Sequence, residues 1–84
     1  MNNTEFTRAE ANKVQLAKNC RFGTISDGCH GVWSSGRTEQ SAIRNARKYF
    51  LANKHDFLAL NQETNEYEFN LESLMDSVQI IEVV

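Results

Sequence analysis

The chain has 84 residues, which suits one domain spanning residues 1–84 and is too short for two. Its hydrophobic content of 40% is typical of a globular protein, and no apolar run approaches the ~18 residues that a membrane-spanning helix needs. No secretory signal opens the sequence, so we expect a cytoplasmic protein without a membrane partner.

Charge is distributed unevenly along the chain, although the net charge is only −2. Residues 1–54 contain all nine Lys and Arg and four carboxylates, a net charge of +5. Residues 55–84 contain seven carboxylates and no Lys or Arg, a net charge of −7. This split predicts either a charged partner or neutralisation of one half by the other across the fold.

A first helix is predicted from the capping box Thr7-Arg8-Ala9-Glu10, in which the Thr hydroxyl and the Glu carboxylate each accept a backbone N–H. The helix should begin near Arg8 and end near Asn19, a residue that tolerates the left-handed conformation of a helix stop. Residues 1–5 precede the capping box, and we expect them to form a loose N-terminus.

A β-hairpin is predicted over Cys20 to Ser35, because Asp27-Gly28 is a strong signal for a two-residue turn. This turn sets a register in which Phe22 lies opposite Trp33. We therefore expect the two rings to form a cross-strand aromatic pair on a buried face.

The second helix is predicted to run from Glu39 to Asn53, with Thr38 as its N-cap. One continuous arc of the helical wheel forms the core face and comprises Ala42, Ile43, Ala46, Tyr49 and Phe50. The neighbouring arc is cationic. We call it the basic stripe, and it comprises Arg37, Arg44, Arg47, Lys48 and Lys54.

The C-terminal part should be rich in β-structure. Phe57 to Leu60 is typical of a buried strand, and residues 62–65 are typical of a polar turn. Tyr67 to Leu71 is typical of a strand with one solvent-exposed face. A short helix over residues 71–77, capped by Asn70, and a final strand over residues 78–84 follow. The predicted fold is α+β, a single domain with an antiparallel sheet of about five strands and two main helices, in the order α-β-β-α-β-β-short α-β.

Neither catalysis nor metal binding has a supporting motif. Cys20, Cys29, His30 and His55 carry suitable atoms for zinc, but their spacing fits none of the common structural patterns. A Cys29–His55 pair could support cysteine catalysis only with a third orienting group, and nothing local favours this. We expect free thiols, no metal, no cofactor and no enzymatic activity.

Two charged surfaces remain as candidate binding sites. What we call the acidic surface surrounds the second hairpin and the short helix, and comprises Glu63, Glu66, Glu68, Glu72 and Asp76. It suits a Lys/Arg-rich protein surface that normally holds nucleic acid. The alternative is that the basic stripe contacts the phosphates of nucleic acid directly. A third hypothesis is a homo-oligomer, such as a homodimer, assembled through an exposed strand edge at Val78–Val84.

Three features together suggest a class of protein: a compact single domain, a hairpin leading through Trp33-Ser34-Ser35-Gly36 into an Ala-spaced helix, and an acidic, β-rich C-terminal part. In these features the chain resembles the small anti-defence proteins of phages and mobile elements, including anti-CRISPR proteins. The resemblance implies a stoichiometric inhibitor, acting in the bacterial host cell without a cofactor, that occludes a larger partner such as a CRISPR-Cas or other nucleic-acid-handling complex. That class shares no common motif, so the resemblance assigns no functional residues.

Overall fold

The computed structural model describes residues 2–27 and 29–84, and over them the chain forms three α-helices and six β-strands, which confirms the α+β class. In chain order the elements are β1 (Asn2–Phe6), α1 (Arg8–Lys13), β2 (Phe22–Ile25), β3 (Ser34–Gly36), α2 (Glu39–Ala52), a 3-10 turn (Lys54–Asp56), β4 (Leu58–Asn61), β5 (Glu66–Phe69), α3 (Leu71–Ser77) and β6 (Gln79–Val83). In the described part of the chain, no helix is both long and apolar enough to cross a membrane.

The strands are divided between two sheets. The larger sheet has the order β1-β6-β2-β3, in which β1 runs parallel to β6 and the other neighbours are antiparallel. Strands β4 and β5 form a separate antiparallel pair. Six strands are close to the expected five, and the structure differs from the expectation in the division into two sheets and in the parallel pair.

The N-terminal segment is a strand, whereas the sequence predicted a loose end over residues 1–5. Strand β1 pairs with β6 along its whole length, from Asn2 opposite Gln79 to Phe6 opposite Val83. The residues before the capping box have no alternating apolar pattern, so backbone hydrogen bonding to a distant strand is what orders them. Met1 lies outside the described residues.

The C-terminal strand β6 lies in the interior of the larger sheet, between β1 and β2. Its two central residues, Ile80 and Ile81, are fully buried. Because successive side chains point to opposite faces of a strand, both faces of the sheet are covered at this point. The hypothesis that Val78–Val84 presents an exposed edge is therefore wrong.

The first hairpin has a longer connection and a different register from those predicted. Strand β2 pairs with β3 so that Thr24 lies opposite Ser34, three positions from the register that the turn signal implied. An odd shift moves the side chains of one strand to the other face of the sheet. Trp33 therefore does not lie opposite Phe22, whose partner on β3 is Gly36. Gly28 of the expected turn lies outside the described residues.

Hydrogen bonds to a helix explain the observed register. The hydroxyls of Thr24 and Ser34 lie 2.8 Å apart, and Ser34 Oγ donates to the carbonyl oxygen of Ala42 at 2.7 Å. Thr24 is fully buried, and an unpaired hydroxyl at this position would be costly. The contact between β3 and α2 thus opposes the local preference of the turn.

Helix α1 begins at the predicted capping box but ends earlier than Asn19. The helix stops at Lys13, and Gln15 adopts a left-handed conformation with φ of 62°. The reversal buries Leu16, whose backbone N–H donates to the carbonyl oxygen of Ala11. The burial of Leu16 therefore explains why α1 is shorter than predicted.

Helix α2 agrees with the prediction to within one residue at its C-terminus, and Thr38 caps it by accepting from the backbone N–H of Ser41. Three of its predicted core residues, Ala42, Ala46 and Phe50, are buried. Ala46 and Phe50 form the main core cluster with Met75 of α3 and Val78. Tyr49 departs from the prediction, since 41% of it is exposed.

Candidate functional surfaces

The acidic surface is confined to the β4–β5 hairpin and α3. Its members lie in the hairpin turn, along β5 and on α3, and all are exposed: Glu63, Glu66, Glu68, Glu72 and Asp76. Among residues 2–27 and 29–84, none of these carboxylates lies in an ion pair. All five are therefore available to a partner.

The hairpin has one polar face and one apolar face. Cross-strand partners in an antiparallel pair share a face, and successive residues alternate between the two faces. The polar face carries Glu66 opposite Asn61 and Glu68 opposite Ala59. The apolar face carries the two pairs Leu58–Phe69 and Leu60–Tyr67.

Asn61 holds the turn and one carboxylate in place. Its Oδ1 accepts from the backbone N–H of Glu63 at 2.9 Å, and its Nδ2 donates to Glu68 Oε2 at 3.2 Å. The carbonyl oxygen of Asn61 also accepts from the N–H of Asn65, a residue with φ of 59°. These bonds restrict the acidic end of the hairpin before any partner binds.

A shallow cavity connects the hairpin with the start of α3. Its volume is about 220 Å³, and it is lined by Ala59, Leu60, Asn61, Glu68, Asn70 and Ser73. Asn70 is the predicted cap of α3, since its side chain accepts from the N–H of Ser73 at 3.0 Å. Glu72 follows in the first helical turn, where the helix dipole favours a carboxylate, and Asp76 lies one turn further on.

The basic stripe is also exposed at all five positions, Arg37, Arg44, Arg47, Lys48 and Lys54. Within the described residues the single ion pair joins Arg21 to Glu82, two residues outside both surfaces. Lys54 makes a cation–π contact with the hairpin, in which its Nζ lies over the ring of Phe69, 5.7 Å from the ring centre. In the described part of the chain, no ion pair therefore joins the basic stripe to the acidic surface.

The aromatic cluster around Trp33 was not predicted. Its ring centre lies 5.3 Å from that of Phe57, 5.5 Å from that of Phe50 and 5.8 Å from that of Tyr49. The indole Nε1 donates to Ser26 Oγ. Sequence reasoning missed this cluster because its members come from three separate segments. The wheel position of Tyr49 and Phe50 was the one available signal.

The strand expected to be buried over Phe57–Leu60 is largely exposed. Leu58 and Leu60 of β4 are 43% and 47% exposed, and Tyr67 opposite Leu60 is 69% exposed. Phe57 and Phe69 pack against the core cluster, so the hairpin's apolar face is covered only at its base. This leaves a patch of apolar side chains on the face of the hairpin opposite Glu66 and Glu68.

The cysteines and the possible metal ligands are the remaining candidate chemical groups. Cys20 and Cys29 are free thiols, which confirms that prediction. Across residues 2–27 and 29–84, no group of three or more His, Cys, Asp and Glu side chains is placed to hold a metal ion.

Comparison with known proteins identified no relatives. No protein-family model, curated protein or solved structure matches the chain. Any functional interpretation therefore depends on the two charged surfaces and the hairpin.

Proposed function

We propose that this protein is a non-enzymatic binding protein that uses its acidic surface to occlude a cationic surface of a larger protein. The observation that carries the proposal is that all five carboxylates are exposed and lie outside any ion pair in the described part of the chain. A carboxylate already bound to Arg or Lys would have to exchange partners on binding, whereas these need lose only water and, at Glu68, the hydrogen bond from Asn61.

The hairpin also supplies the apolar contacts that a protein interface needs. Leu60 and Tyr67 are adjacent on one face, and Glu66 and Glu68 lie on the other. Interfaces draw much of their binding energy from a few aromatic and apolar anchors, and complementary charge speeds association and excludes wrong partners. A hairpin with both features favours a protein partner over a small molecule.

The chemistry of the partner follows from the sign of the surface. Carboxylates fixed on a scaffold compete with phosphates for the same Lys and Arg side chains. We therefore expect the partner to be a nucleic-acid-handling protein or complex, and the effect to be stoichiometric inhibition, as in the anti-defence class that the sequence resembles.

The test is a pull-down from a nuclease-treated bacterial lysate, with bound proteins identified by mass spectrometry. The wild-type protein should capture Lys/Arg-rich nucleic-acid-binding proteins, and the double variant Glu66→Lys, Glu68→Lys should lose them. The control is Glu5→Lys, Glu39→Lys, which makes the same charge change at two exposed positions elsewhere. Undiminished capture by the first variant would contradict the proposal.

The second candidate function is direct binding of nucleic acid by the basic stripe, and it is favoured by the exposure of all five cations. It predicts a gel shift with nonspecific DNA or RNA at low salt that fades steeply as salt rises. The variant Arg44→Glu, Arg47→Glu should abolish the shift, while Lys13→Glu, Lys18→Glu should retain it. Absence of a shift with the wild-type protein at low salt would exclude this function.

A further inference from the structure

The β4–β5 hairpin is an incomplete sheet. In the described part of the chain β4 pairs only with β5. Three apolar side chains of the hairpin, Leu58 and Leu60 on β4 and Tyr67 on β5, are between 43% and 69% exposed. A two-stranded sheet is marginally stable in water unless further strands or a helix complete it. Among the described residues no further strand pairs with its outer edges, so the backbone groups there are able to accept another strand.

The two edges of this hairpin differ in charge. Strand β5 carries Glu66 and Glu68, whereas β4 reads Leu58-Ala59-Leu60-Asn61 and has no charged residue and no proline. Natural proteins usually protect an exposed edge with charges, proline or a bulge, and β4 has no charge or proline. Pairing of β5 with a second β5 would bring like charges together, whereas pairing of β4 with β4 would not.

We propose that β4 pairs antiparallel with β4 of a second copy of this chain. The product is a symmetric dimer with a continuous four-stranded sheet in the order β5-β4-β4-β5. The occupant of the edge is a second copy because this uncharged, apolar segment is complementary to itself, and a two-fold axis satisfies the edges of both copies at once.

Symmetry determines the register. A two-fold axis between antiparallel neighbours stands perpendicular to the sheet, so each face of the hairpin continues into the same face of its partner. Under this restriction, registers centred on Ala59 and on Leu60 each keep three of the four residues of β4 paired. The register centred on Ala59 is favoured because it places all four leucines of the two β4 strands in Leu58–Leu60 pairs on the apolar face. Ala59 of one copy then lies opposite Ala59 of the other, and Leu58 lies opposite Leu60.

The dimer has a consequence for the charged face. Glu66 and Glu68 of both copies lie on the same face of the four-stranded sheet, which doubles the acidic surface. Leu58 and Leu60 of each copy lie beside those of the other on the opposite face. This inference does not depend on the proposed function, because the association is measured on the protein alone.

The first experiment is sedimentation velocity of the intact protein from micromolar to millimolar concentration. A reversible monomer–dimer equilibrium is expected, and Leu60→Lys should weaken it by about tenfold or more because it places a charge in the edge strand. The control is Tyr67→Lys, on the same face but on β5, one strand away from the β4–β4 contact, which should leave the dissociation constant within about threefold, the range typical of a surface change. A monomer at every concentration, or equal weakening by both variants, would overturn the proposal.

The second experiment tests the register and does not depend on a disruptive change. Directly opposed residues of antiparallel strands have Cα atoms about 4.5–5.5 Å apart, within the range of a disulfide. Ala59→Cys should therefore form an intermolecular disulfide on mild oxidation, identified by the mass of two linked copies of the peptide that contains the substituted position. Ala52→Cys, an exposed position on α2, is the control. Cross-linking of Ala59→Cys no faster than that of the control would overturn the pairing.

Discussion

Gly36 marks the closest approach of the larger sheet to α2, and we predict that Gly36→Ala destabilises the protein strongly. A Cβ at this position would collide with Ser41 Oγ and would lie 2.5 Å from the backbone N and 2.9 Å from the Cα of Ala42. Ala42 is fully buried, and its backbone can move only with the helix. The added methyl group therefore forces β3 and α2 apart.

The expected loss of unfolding free energy depends on whether the added Cβ meets side-chain or backbone atoms. Overpacking a core costs about 1–3 kcal/mol when side chains can adjust, and backbone contacts put Gly36→Ala at about 2–4 kcal/mol. Gly31 provides a matched control, since a Cβ there would meet only the carbonyl oxygen of Val14, at 3.6 Å. Gly31→Ala should be neutral or stabilising by up to about 1 kcal/mol, because alanine restricts the unfolded chain.

The assay is equilibrium unfolding in urea, followed by fluorescence of the single tryptophan, Trp33, which is packed against the core aromatic rings. With a slope near 1 kcal/mol per molar urea, Gly36→Ala should lower the midpoint by about 2 M or more. A loss below about 0.5 kcal/mol, the usual size of a neutral surface substitution, would refute the close approach of β3 and α2.

Two further predictions concern the core and α1. Phe50→Ala should cost about 3–5 kcal/mol in unfolding free energy because it leaves a cavity under the aromatic cluster, whereas Leu51→Ala, at a position 46% exposed, should cost less than half as much. Equal losses in urea unfolding would contradict the assignment of core and surface faces. The pKa of the Glu10 carboxyl is lowered, chiefly because it accepts a hydrogen bond from the backbone N–H of Thr7. Glu10 therefore stabilises the fold at pH values above the ordinary carboxyl pKa, and this stabilisation is lost as the pH falls through the lowered pKa. The thermal unfolding temperatures of wild type and Glu10→Ala should therefore converge in acid. A difference in unfolding temperature that stays constant with pH would count against this role of Glu10.

Local chemistry explains the elements that were predicted correctly. The capping residues Thr7, Thr38 and Asn70 each accept from a backbone N–H three residues further along the chain, so four consecutive residues suffice to place each helix start. The alternation around Tyr67 likewise sufficed to predict the second hairpin. In each case the stabilising partners are near neighbours in the sequence.

The acidic surface and the apolar face of the hairpin were only partly predictable, because they depend in part on contacts between distant segments. Which carboxylates belong to the acidic surface is a matter of sequence, and their exposure agrees with what a charged side chain prefers. Whether they pair with the basic stripe depends on where two distant segments lie. The exposure of Leu58 and Leu60 was equally unpredictable, since an apolar strand is buried only if another element covers it.

The sequence by itself determined the α+β class, the helix starts, the second hairpin and the separation of charge along the chain. Only the tertiary structure decided that β1 is a strand, that β6 lies between β1 and β2, and that Thr24 rather than Phe22 sets the register of β2 with β3. The physical reason is range. Caps and turns depend on contacts within a few residues, whereas sheet order and register depend on hydrogen bonds and packing between segments as far apart as Asn2 and Gln79.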